Sequence, residues 1–65
     1  MKRPKAGTAT GRVWEIIDGL IAARGDGALV HRDSVVEAGV KEGLNESTVK
    51  TQYSKYRRWY NEQKS

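Results

Sequence analysis

The chain has 65 residues, with 12 Lys and Arg, 8 Asp and Glu, a single His and no Cys, for a formal net charge of +4. That length holds one small domain, which buries about 60% of its unfolded surface and leaves little room for a deep catalytic pocket. With no disulfide and no thiolate for a structural metal, helix packing or a partner chain must stabilise it.

The apolar runs are too short for a membrane span or a signal peptide, so a cytoplasmic, nucleoid-associated location is expected. Residues 1–9 (MKRPKAGTA) are basic and small with no periodicity, and are expected to form a flexible basic arm ahead of a domain over 10–65. Thr10 is the expected N-cap of the first helix, over 11–24. Within it Val13, Ile16, Ile17, Leu20 and Ile21 recur at i, i+3, i+4, i+7 and i+8, the apolar face of a helix rather than of a strand. Trp14 flanks that stripe and is placed at its edge, its indole N–H seeking a partner. Gly19 weakens a helix, so it is read as a point where another helix comes close. Gly25 ends the segment. Gly25-Asp26-Gly27 is a turn, and Leu29 in the connector that follows caps the core.

The second helix is expected over 32–42, with Asp33 and Glu37 near its positive end and His31 at its start. Val35, Val36, Ala38, Gly39 and Val40 form its apolar side. Three of these are β-branched, so tertiary contacts must hold the helix. Gly43 stops it, and Asn45 caps a third helix over 46–61. There Val49, Tyr53, Tyr56 and Tyr60 fall at i, i+4, i+7 and i+11 and form a buried stripe. Ser47, Thr51, Ser54 and Arg58 keep the same spacing on the opposite side, with Lys50 and Arg57 beside them. Trp59, adjacent to the buried stripe, either finishes the core, the favoured reading, or stands exposed as a dimer contact. No pair of alternating strands follows, so a wing hairpin is not expected, and the fold class is an all-α three-helix domain.

A short helix, a Gly-containing turn and a longer helix with a polar face is a helix-turn-helix order. Gly39 supplies the small residue that lets the next helix approach, Gly43 the turn, and Leu44 and Val49 the apolar locks. On these residues, 35–54 resembles the bacterial and phage helix-turn-helix DNA-binding family. Glu42 and Gln52 depart from it, standing where the family places apolar side chains. Tyr53 is expected to take over the role of Gln52. The resemblance implies groove-facing positions at Asn45, Glu46, Ser47, Lys50, Thr51 and Ser54, and periodicity alone had already put most of them on the outward face.

The charges fit such a role. Residues 1–10 sum to +3, 11–45 to −2 and 46–65 to +3, so the excess lies at both ends. Expected base contacts in the major groove are Ser47, Lys50, Thr51 and Ser54, with Gln52 as a further reader of adenine. Expected phosphate contacts are Arg12, Asn45, Lys55, Arg57 and Arg58. Lys2, Arg3 and Lys5 form an arm suited to the adjacent minor groove.

Other chemistry is sparse. One His without Cys builds no metal site and completes no triad, so neither an enzyme nor a cofactor is expected, and no small-molecule substrate. The expected function is sequence-specific double-stranded DNA binding by a small prokaryotic or phage transcription regulator, as a homodimer or cooperatively on repeated sites. The alternative is a protein-interaction module, an inhibitor or adaptor, using a Tyr/Trp/Arg surface of the third helix.

Overall fold

The computed structural model describes residues 3–64, and among these it contains three helices and no strand. They are α1 (Ala9–Arg24), α2 (Arg32–Lys41) and α3 (Glu46–Lys64), each packed against the other two. None is long and apolar enough to cross a membrane.

α1 begins two residues before the sequence suggested. Its N-cap is Thr8, whose Oγ1 accepts the Gly11 N–H at 3.0 Å. Thr10 lies within the first turn. The earlier start follows from residues 3–8, which lie against the helix. Thr8 Oγ1 donates to the Lys5 carbonyl at 2.7 Å, and that carbonyl sits so close to Gly11 that a Cβ there would fall 2.0 Å from its oxygen. One hydroxyl therefore caps the helix and fixes the preceding segment. α1 stops at Gly25, which takes φ +80°, a left-handed conformation that costs Gly nothing. Asp26 Oδ1 then accepts the Ala28 N–H at 3.0 Å, turning the chain into the connector.

α2 starts on His31, whose Nδ1 accepts the Asp33 N–H at 3.3 Å. It ends in a Schellman turn. Leu44 N–H reaches the Gly39 carbonyl at 3.0 Å and Gly43 N–H the Val40 carbonyl at 2.9 Å, with Gly43 at φ +84°. Asn45 Oδ1 then accepts the Thr48 N–H at 3.2 Å and opens α3.

The core consists of Val13, Trp14, Ile17, Val30, Val35, Val49 and Tyr56, with Leu20, Ile21, Leu29, Leu44 and Trp59 around it. Trp14 is central rather than at the edge, 2% exposed, because α3 supplies its indole with an acceptor: Gln52 Oε1 at 3.1 Å. Its ring meets Tyr56 and Trp59 edge-on at 4.9 and 5.7 Å between centroids. Two glycine assignments separate here. A Cβ on Gly39 would lie 2.7 Å from Val49 Cγ2, so α2 and α3 do cross at this point. Gly19 is exposed with nothing within 4 Å of a Cβ, so no helix approaches it. Val40 is 46% exposed and not part of the apolar side, since the buried positions of α2 are Val35 and Gly39 and Val40 turns away from both.

Three tyrosine hydroxyls fix the rotation of α3 about its axis. Tyr53 donates to the Val30 carbonyl at 2.8 Å, Tyr56 to Asp18 Oδ1 at 2.6 Å, and Tyr60 to the Gly27 carbonyl. Burial comes first among the causes that push the Tyr56 phenol far above its ordinary pKa, and Asp18 adds to it, so the hydroxyl remains a donor.

Candidate nucleic-acid interface

The seam of α3 is Val49, Gln52 and Tyr56, at i, i+3 and i+7. With that seam inward, Ser47, Lys50, Thr51, Ser54, Lys55, Arg57 and Arg58 are all exposed. Tyr53 and Tyr60, which border the seam, spend their hydroxyls on backbone carbonyls, and the exposed side beyond them carries Ser, Thr and cations together with Glu46 and Glu62.

Gln52 is not on that face. It is 8% exposed and its Oε1 serves Trp14, so it reads no base, and Tyr53 does not replace it in the core. The sequence pattern missed this because a buried Gln looks like a departure until its buried partner is known. An indole N–H and a carboxamide oxygen satisfy one another where an apolar residue would orphan the indole.

The cations divide into two classes. Arg12 donates to both carboxylate oxygens of Glu42, at 2.8 and 3.0 Å, an exposed bridge from α1 to the turn that a phosphate would have to displace. Its hydrogen bond holds the Glu42 carboxyl below the usual carboxylate range. Arg24 pairs with Asp26 at 3.2 Å. Lys50 pairs with Glu46 one turn earlier at 3.1 Å, an exposed contact that is inexpensive to exchange for another anion. Lys55, Arg57 and Arg58 pair with no carboxylate among the described residues. Asn45 is exposed at the head of α3, with its side-chain oxygen committed to the cap.

Of the arm, Lys2 lies outside the described residues and Lys5 is exposed. Arg3 packs on the aromatic cluster of its own domain. Its guanidinium lies over the rings of Trp59, Trp14 and Tyr56, at 5.0, 5.4 and 6.0 Å from their centroids, and pairs with Asp18.

Sequence reasoning assigned no role in binding to His31 or Arg32. Together with Tyr53, Ser54 and Arg57 they line a cleft of about 350 Å³ between the start of α2 and the middle of α3. No local pattern announces it, because its two arginines are brought together only by the crossing of the helices. Among the described residues no group of three or more His, Cys, Asp or Glu could hold a metal ion. No known family model matches the chain, and no curated protein or solved structure is significantly similar to it.

Proposed function

We propose that the chain binds duplex DNA, with α3 lying in the major groove, as a small transcription regulator of prokaryotic or phage type. The observation that carries this reading is the outward face of α3. Small hydroxyls at Ser47, Thr51 and Ser54 let the helix backbone approach base edges closely, and Lys50 among them reaches guanine or phosphate. Lys55, Arg57 and Arg58, which pair with no carboxylate among the described residues, flank that strip as phosphate contacts. The α2–α3 crossing at Gly39 and the turn at Gly43 support the same reading, because they hold α3 at a fixed angle with its polar side clear of the other helices. One domain covers one half-site, so a homodimer or cooperative binding on repeated sites is part of the proposal.

A protein-interaction module would need its aromatic residues at the surface. Tyr56 is 3% exposed, and Trp59 and Tyr60 are half-buried beside it, which favours the DNA reading. The test is a fluorescence titration of labelled duplexes at several salt concentrations. Log affinity falling linearly with log salt, and loss of binding in Lys50→Ala/Thr51→Ala with helicity intact, are the expected results. Salt-independent binding, or no binding to any duplex selected from a random pool, refutes the reading. A palindromic consensus from that pool identifies the dimer.

A further inference from the structure

The ion pairs divide the arginines in a way that marks one place on the surface. Arg3 pairs with Asp18, Arg12 with Glu42 and Arg24 with Asp26. Arg32, Arg57 and Arg58 have no carboxylate partner among the described residues, and the first two line the same cleft. Two guanidinium groups lining one cleft make it a favourable place for an anion. A guanidinium presents a planar fork of N–H donors suited to two oxygens of a tetrahedral anion.

The remaining lining agrees. His31 uses Nδ1 to accept the Asp33 N–H, which leaves the proton of the neutral ring on Nε2 as a further donor. Its one carboxylate partner among the described residues, Asp33 at 3.7 Å, lies on that Nδ1 side and does not line the cleft. Ser54 donates weakly to the Lys50 carbonyl at 3.4 Å, a bond it exchanges at little cost for a better acceptor. Tyr53, which also lines the cleft, is held by its hydrogen bond to the Val30 carbonyl. The lining thus offers cations and donors with no acid among them.

We propose that this cleft is a phosphate site, in which Arg32 of α2 and Arg57 of α3 grip one tetrahedral phosphate between them, with His31 and Ser54 as supporting donors. The proposal rests on the DNA-binding reading for its natural ligand, a backbone phosphodiester beside the groove that α3 enters. The same chemistry would take a free phosphate monoanion, and the experiment separates the two sources.

The first arm measures duplex binding against salt for wild type, Arg32→Ala, Arg57→Ala and the double variant. Arg24→Ala, whose cation is already paired, is the control. A shared phosphate predicts that each single variant weakens all duplexes alike, by about tenfold at moderate salt. It also predicts that the salt slope falls by about 0.9 in the double and by no more than that in either single, because only one phosphate is involved and one arginine still faces it in each single. An unchanged slope in the double overturns the proposal. So does a fall of about twice 0.9 in the double, which would mean two separate phosphates. The second arm titrates inorganic phosphate into the protein alone and follows backbone amides by nuclear magnetic resonance. Saturable shifts confined to His31, Arg32, Ser54 and Arg57, and absent in the double variant, uphold the site even if no duplex binds, in which case the DNA reading fails and a free anion is the ligand. Absence of such shifts together with absence of duplex binding refutes both.

Discussion

Replacing Gly39 and Gly19 by Ala gives opposite results from one chemical change, and the two together measure the helix crossing on which the interface depends. In a helix interior Ala is favoured over Gly by about 1 kcal/mol. At Gly19 a Cβ meets nothing within 4 Å, so the whole gain is realised. For a domain of this size it raises Tm by about 4–8 °C. At Gly39 the same gain is opposed by Val49, which is fully buried. A Cβ would meet its Cγ2 at 2.7 Å, its Cγ1 at 3.3 Å and its Cβ at 3.6 Å. Because contact runs from Cβ outward and a β-branched side chain in a helix has one favoured rotamer, rotation does not relieve it. The helices must move apart, at an overpacking cost of about 1–3 kcal/mol. The net change is a loss of about 0–2 kcal/mol, against a gain of about 1 kcal/mol at Gly19. Thermal and urea unfolding followed by far-ultraviolet circular dichroism reads both, and adding Val49→Ala should remove most of the Gly39→Ala penalty, a non-additivity that distant sites do not show. If Gly39→Ala raises Tm as Gly19→Ala does, α2 and α3 do not cross where described and the orientation of α3 is wrong.

Other outcomes follow from individual contacts. Gln52→Leu keeps the volume and adds apolar surface, yet it should destabilise by about 1–3 kcal/mol in urea unfolding, because the Trp14 indole N–H loses its buried acceptor. Glu42→Gln tests the bridge to Arg12 through pH. The folded Glu42 carboxyl has a lowered pKa, so its contribution is present above the unfolded value and is lost as pH falls through the folded one. Wild type should be more stable than the variant at neutral pH, and the two should converge in acid below the lowered value. A difference that persists there refutes the bridge. Gly11→Ala sets a Cβ against the Lys5 carbonyl, so residues 3–8 should leave α1. Tryptic cleavage after Lys5 should then quicken several-fold while the helices keep their thermal transition.

The helices were legible in the sequence because the apolar spacing along α1 and α3 has the helical period and because Gly25, Gly43 and Asn45 are terminal residues with local causes. The outward face of α3 was legible for the same reason: once Val49 and Tyr56 turn inward, Ser47, Thr51 and Ser54 have only one direction left. What escaped was set by partners distant in the chain. Gly19 and Gly39 have the same local meaning, and only the position of Val49 distinguishes them. Gln52 is a polar outlier until Trp14 is placed beside it, and Thr8 outcompetes Thr10 as the cap because the chain before it folds back to present the Lys5 carbonyl. Arg12 was assigned from its charge alone, and its bridge to Glu42, thirty residues away, has no local signal.

The aromatic cluster has a practical consequence. Both tryptophans of the chain stand in it, beside Tyr56 and on the side of α3 turned away from Ser47, Thr51 and Ser54. Their intrinsic emission is therefore a reporter of melting and nearly silent to a duplex docking on the far side. Recorded during heating with and without added duplex, that light converts occupancy into a displaced midpoint, because a ligand bound only by the native state delays its loss. The molecule carries its own dye for measuring what it holds.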